Sequence, residues 1–214
     1  MRKNRELFSY NSDVIGKLLD KYEYPYEVLP NIHDYILNVG KNLDNGYYQL
    51  KDNVWIHKSV YIEDNVSIIG PAIIMENSKL RHNAYLRENV IIGPGCVIGN
   101  SCEVKGSILI SNCVIPHFNY VGDSILGDKV HLGAGAIITN LRLDKQNIRI
   151  ESIDTNLRKI GAFVGDNAQI GSNSVLCPGT ITGKNVIVYP LITVKGIIED
   201  DSIVKNNGIN VVRL

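Results

Sequence analysis

The sequence predicts a mainly β protein, a three-sided parallel coil preceded by a short helical segment. Three observations predict it. Aliphatic residues recur every six positions: Ile56, Ile62, Ile68, Ile74, Leu80, Leu86, Ile92, Ile98, Val104 and Ile110 form an unbroken series that meets Pro116 at the next step. Four residues after each stands a mostly small side chain, as at Val60, Ala72, Ser78, Ala84, Cys96 and Cys102. Three residues after, Asn or Gly recurs at Asn65, Asn77, Asn83, Asn89, Gly95 and Asn119, the residue types that tolerate positive φ.

A helix of period 3.6 cannot produce this pattern, and strand alternation alone predicts no turn residue every six. A short strand followed by a tight corner does. Three such strands close a triangle in about eighteen residues, and stacked rungs pair as parallel β at roughly 4.8 Å. The series resumes at Val164, Ile170, Leu176, Thr182, Val188 and Val194, with Asn167, Asn173, Gly179 and Asn185 at the turns. Irregular hexads at Val121, Leu126, Leu132 and Ile138 bring the total to 21, hence about seven coils over residues 51–205.

Residues 1–50 differ. "NSDVIGKLLDKY" and "PNIHDYILNVGKNL" have helical spacing, with Asn11 or Ser12 as caps and Pro30 near a helix start. Between them "YEYPYEVLP" is tyrosine-rich and extended. This appendage is expected to form a lid on the first coil. The stretch "NNGINVVRL", residues 206–214, is expected to be a final strand or tail.

Composition narrows the classes of function. Lys+Arg and Asp+Glu both number 22, so no global charge favours nucleic acid or an anionic membrane. The start has no apolar leader and no run of about eighteen apolar residues occurs, which points to the cytoplasm. Cys96, Cys102, Cys113 and Cys177 form no CxxC pair and are expected to be buried thiols.

A prism with a filled interior leaves its faces for chemistry. Arg87 and Lys105, eighteen apart, should project in one column, where two stacked cations are costly without an anion between them; phosphate is one candidate and solvated surface charge the other. Glu103, two residues from Lys105, could orient it or a substrate amine. Pro116 takes an aliphatic position with φ fixed near −65°, leaving His117 outward, and the following hexad "VGDSI" is one residue short. Imidazole near such an irregularity suits a general base. His33, His57 and His82 carry no such signal. After Asn140 the period breaks over residues 141–159, an excursion with Arg142, Lys145, Arg149, Arg158 and Lys159 against Asp144, Glu151 and Asp154.

The stretches "YLRENV", "GNSCEVKGS", "PHFNYVGDSILGDKVHLGAGAIITNL" and "GAFVGDNAQIGSNSVLCPGTITGKNV" resemble a known family. It is the hexapeptide-repeat acetyltransferase domain of bifunctional glucosamine-1-phosphate N-acetyltransferase/N-acetylglucosamine-1-phosphate uridyltransferase, in its archaeal sugar-1-phosphate nucleotidylyltransferase branch. The likeness covers roughly Val54 to Lys205. It implies a left-handed parallel β-helix, a homotrimer, and acetyl-CoA as co-substrate with no metal. His117 would be the general base and Glu103 its assistant at the amine. Arg87 and Lys105 would hold the sugar phosphate, and Tyr120 and Asn140 the sugar or acetyl group. Backbone donors near Ala134 would face the thioester carbonyl, with Ser172 and Pro190 lining the acetyl-CoA arm. The long loop would complete a neighbouring subunit's site, with Lys145, Arg149, Arg158 or Lys159 as its phosphate ligand. His131 stands where the bacterial enzymes have an asparagine, and Leu141 where they have a tyrosine, so the amino sugar stays open. The first fifty residues are too few for a uridyltransferase domain. Two other readings remain: a non-catalytic trimeric scaffold partnering a separate nucleotidyltransferase, and a zinc hydratase of the same fold.

Overall fold

The computed structural model describes residues 1–11 and 13–205, and the tail expected over 206–214 lies outside the described residues. Three parallel ladders run the length of a β-solenoid. Face A carries eight parallel strands and one antiparallel edge strand, face B eight and face C seven, which makes about eight coils rather than seven. The difference lies at the end. After Val194 the next interior residue comes four positions on, at Ile198, and another follows at Val204; both are buried in the prism. A strict step of six passes over that pair.

The frame also slips earlier. Pairing sets Leu109 beside Ile92 and Ile115 beside Ile98, so Leu109 and Ile115 fill the interior, not Ile110 and Pro116. The segment from Val104 to Leu109 is therefore a second short hexad, besides the one from Val121 to Leu126. In these coils partners lie seventeen apart, as in Val104 with Val121. A serine takes the missing residue's place in each. Ser107 Oγ donates to the Lys105 carbonyl at 2.7 Å and accepts from Ser124 N at 3.0 Å. Ser124 Oγ repeats this with the Gly122 carbonyl at 2.8 Å and Ala162 N at 3.0 Å. Both hydroxyls are fully buried, and each replaces the peptide group that the shorter chain lacks.

The corners use left-handed backbone throughout. Asn65, Asn77, Asn83, Asn89, Asn167, Asn173 and Asn185 all have φ between 54° and 65°, as the sequence predicts. Asn119 does not: the corner residue is Phe118 at φ 52°, and Asn119 turns inward and is 3% exposed.

The N-terminal appendage differs from a lid on one coil. Its helices are α1 (Asn4–Leu7), α2 (Val14–Leu19), α3 (Pro25–Val28) and α4 (Ile32–Gly40). Asp13 caps α2, its carboxylate accepting from Ile15 N and Gly16 N at 2.9 Å, where Asn11 or Ser12 was expected. The tyrosine-rich stretch is not extended, because Pro25 opens α3 with its φ already helical.

This segment climbs the outside of face A. Trp55, Ile73, Ile91, Ile108, Ile125, Phe163 and Ile181 stand in one outward column, each no more than 6% exposed beneath the chain packed on that face. Burying each large aliphatic there contributes about 1.5–3 kcal/mol, which fixes the segment to this face. Gly40 lies against the Trp55 ring so closely that a Cβ would sit 2.3 Å from it. At the other end Arg2 Nη2 donates to both oxygens of Asp200 at 2.9 Å, and Ser9 N to Asp166 at 2.8 Å. Strand β1 (Tyr47–Lys51) pairs antiparallel on the first rung and closes that edge. No helix among the described residues is long and apolar enough to cross a membrane.

Candidate active site

The excursion after Asn140 packs on its own chain. Leu141 and Lys159 form an antiparallel bridge at its base, and Arg149–Ile150 pairs with Ile153–Asp154 as a small hairpin. Ile148, Ile150 and Ile160 join Phe163 and Ile181 in the cluster outside face A. Helices and excursion together cover face A and leave the edge between faces B and C open.

That edge gathers one set of the expected residues. Gly135 N donates to the His117 carbonyl at 2.9 Å, Asn173 N to Ala134 at 2.9 Å and Leu191 N to Ser172 at 3.0 Å. His117, Ala134, Ser172 and Pro190 are therefore equivalent corner positions on four successive rungs, spanning about 14 Å at the parallel-sheet spacing. His117 is exposed, with its ring 6.5 Å from that of Phe118. The floor between is glycine by necessity: a Cβ on Gly133 would come within 2.5 Å of Ser172 N, and one on Gly171 within 2.4 Å of Pro190 N. Phe118, 63% exposed, bounds this notch at one end, and Leu191, 73% exposed, at the other.

Face C holds the second set. Arg87 and Lys105 share one column, as their spacing predicts, with Arg87 N donating to the Val104 carbonyl. They are not bare cations awaiting an anion. Arg87 Nη1 reaches Glu103 at 3.0 Å, and Lys105 Nζ reaches both oxygens of Asp123 at 3.1 and 3.3 Å. Glu103 thus orients Arg87, not Lys105. Asn140 Nδ2 donates to Asp123 and to the Tyr120 hydroxyl, the latter at 3.1 Å. The hydrogen bond that Arg87 donates to Glu103 holds the Arg87 pKa above its ordinary value. Burial, and then the negative charge of Asp123, raise that of Tyr120, so its hydroxyl stays protonated. Glu103 and Tyr120 are cross-rung partners, and Tyr120 follows His117 by three residues across the corner.

Arg87, Glu103, Lys105, Tyr120 and Asn140 are thus brought together. His131 is not among them: it stands on face B, paired with Val114 and Gln169. Lys145 lies in the excursion, where Arg142, Lys145, Arg149 and Arg158 line a cleft of about 510 Å³ with Asp154. Arg142 is tied to Asp144, while Arg158 donates to the Lys145 carbonyl. Among the described residues no three His, Cys, Asp or Glu side chains gather as metal ligands. Cys96, Cys102 and Cys113 are buried free thiols, but Cys177, on face C, is half-buried.

Sequence reasoning missed Asp123 and Asn119. Asp123 sits inside the short hexad "VGDSI", eighteen residues after Lys105, and the step that joins Arg87 to Lys105 reaches it. Asn119 reads as a turn residue in the sequence because a strict step of six makes Pro116 interior.

Fold and edge define a hexapeptide-type parallel β-solenoid with a polar cluster beside an open, glycine-floored corner. The resemblance found in the sequence holds. A family model described as the GMPPB C-terminal domain matches residues 68–159. The bifunctional sugar-1-phosphate nucleotidylyltransferase/acetyltransferase of Sulfurisphaera tokodaii is 37% identical over 90 residues, 40% of this chain and 22% of that protein. The bifunctional protein GlmU of Methanococcus vannielii is 40% identical over 103 residues, 47% of this chain and 25% of that protein. The chain therefore spans about a quarter of the length of these relatives. A solved structure of a putative acetyltransferase from Bacillus cereus, 18% identical, aligns over 74% of this chain and 76% of its own with a TM-score of 0.40.

Proposed function

We propose that the protein is an acetyl-CoA-dependent N-acetyltransferase whose acceptor is an amino-sugar 1-phosphate of the glucosamine-1-phosphate type. One observation carries the reading. The exposed His117 shares its edge with Ala134, Ser172 and Pro190 and adjoins the Arg87–Glu103 and Lys105–Asp123–Asn140–Tyr120 network across one corner. An imidazole, an anion-binding pair and a backbone-lined notch are the parts that acyl transfer to an amine needs.

In this reading the thioester arm lies along the notch, with its carbonyl toward backbone donors near Ala134. The sugar lies on face C, its phosphate taken by Arg87 and Lys105, which turn partly from Glu103 and Asp123. His117 accepts the proton that the amine sheds as its nitrogen attacks the carbonyl carbon; the C–S bond breaks and the thiolate leaves. No metal takes part. Face A is covered by the appendage and the excursion, so faces B and C are the ones open to neighbouring copies. A homotrimer would place the corner of one subunit against a face of the next. The product, an N-acetylated sugar 1-phosphate, suits a separate nucleotidyltransferase, and the setting is cytoplasmic. A contribution from Lys145 or its neighbours to a second subunit's phosphate is part of the same reading.

The test is thiol release from acetyl-CoA in the presence of glucosamine-1-phosphate and its galacto isomer. Turnover with either, lost by at least about a hundredfold in His117→Ala, is expected. Undiminished turnover in that variant removes His117 from the role of base.

A further inference from the structure

Every rung presents one inward side chain just after the corner between faces B and C. On successive rungs it is Val66, Ala84, Cys102, Asn119, Ala136, Ser174 and Ile192. Asn119 is the one carboxamide in that column. A primary amide in an apolar prism costs several kcal/mol unless all its groups find partners, so its bonding pattern shows what it is for.

All but one of those bonds reach a part of the proposed site. Asn119 Oδ1 accepts from His117 N at 3.1 Å and from Cys102 Sγ at 3.6 Å. Asn119 Nδ2 donates to the Gly133 carbonyl at 2.8 Å and the Ala136 carbonyl at 3.1 Å, on either side of Ala134 and one rung away. Its own carbonyl accepts from Glu103 N at 2.9 Å on the rung below. A single buried residue thus ties the backbones of Glu103, His117 and the Gly133–Ala136 corner. It does so where the chain most needs restraint, since Phe118, between His117 and Asn119, holds a left-handed φ of 52° that disfavours an aromatic residue.

We propose that Asn119 is a positioning residue, a cross-rung brace that sets His117 at the distance from the Ala134 corner at which a proton can leave the attacking amine. The inference rests on the reading of His117 as base, but the brace itself can be measured without turnover. Asn119→Ala is the main variant, and its side chain already occupies the same column at Ala84 and Ala136. Asn119→Thr is the second. Its hydroxyl can accept from the His117 N–H and donate to one of the two carbonyls, while its methyl fills volume.

Amide hydrogen exchange on the assembled protein reads the brace. In Asn119→Ala the His117 amide is expected to exchange at least tenfold faster, with Ile98 and Val121 unchanged. Steady-state kinetics read its consequence. A displacement near 1 Å lowers kcat about 10- to 100-fold, KM for the sugar phosphate stays within about twofold, and Asn119→Thr recovers most of the loss. Unchanged exchange at His117, or wild-type kcat in a folded Asn119→Ala, overturns the proposal. So does a parallel fall of kcat and rise of KM that Asn119→Thr does not reverse, because that is general loosening. Faster exchange together with full turnover in His117→Ala leaves the brace standing and removes the base instead.

Discussion

Replacing Asp123 with alanine is expected to destabilise the protein by about 3 kcal/mol, most of it through Lys105. The ammonium lies 3.1 Å from the carboxylate, and the two side chains are 12% and 17% exposed. At an effective dielectric constant near 20, unit charges at that distance attract by roughly 5 kcal/mol. Desolvation offsets part of this, and breaking a buried pair from one side costs about 3–5 kcal/mol, the lower end applying where some water reaches. Asn140 loses an acceptor as well, worth about 1 kcal/mol. Asp123 also has φ 50°, which alanine tolerates less well. A double-mutant cycle with Lys105→Met isolates the pair, because the backbone and Asn140 contributions appear in both arms that carry Asp123→Ala. Denaturant titrations at one fixed chain concentration should give a coupling energy of about 2 kcal/mol. Additivity within about 0.5 kcal/mol would show that the two groups do not meet in solution, and the polar face described above would lose its centre.

Phe163→Ala, fully buried beneath the chain that covers face A, should cost about 3–5 kcal/mol in the same titration, whereas a cover detached from face A would lose far less. Phe118→Asn should stabilise by about 1 kcal/mol, since the side chain is largely exposed and Asn83 and Asn173, two rungs away at the same corner, take this φ; a loss would mean that the ring packs on something in the assembled protein. For Asp200, burial pushes the pKa up, but hydrogen bonds from Arg2 and Lys184 N outweigh it and leave the folded value below the ordinary one. Its stabilisation is therefore present above about pH 4 and disappears as pH falls through the folded pKa. The melting temperature should drop on going from pH 6 to pH 3 by less in Asp200→Asn than in the parent.

The six-step rhythm made the fold legible because each interior position tolerates little besides an aliphatic, and each corner little besides Asn or Gly. Where the rhythm changed, position was lost by a single residue. Ile110 and Pro116 fit a step of six, and only the buried Ser107 marks the shorter hexad, a signal faint in sequence since serine is common in turns. That one-residue slip hid Asn119 as a turn residue and made Pro116 look like an anomaly. Arg87, Lys105 and Glu103 were legible as a group because parallel stacking converts spacing into proximity. Asp123, the partner of Lys105, stands at the same eighteen-residue step, but as an aspartate in the turn-like stretch "GDS" it gives no signal of its own. The appendage was legible as helices but not as a cover for a whole face. Which surface an amphipathic helix chooses depends on the outward column from Trp55 to Ile181, and that column is offset by the same slip.

Stacks of repeats ordinarily come apart piecemeal, since each rung touches only the next and the terminal rungs fray first. Here one N-terminal stretch is fastened to Asp200 through Arg2 and to Trp55 through Gly40, so neither extremity is free to open alone. The longest separations in the chain are thereby bound together, and a linear polymer of coils acquires the all-or-none melting of a globule.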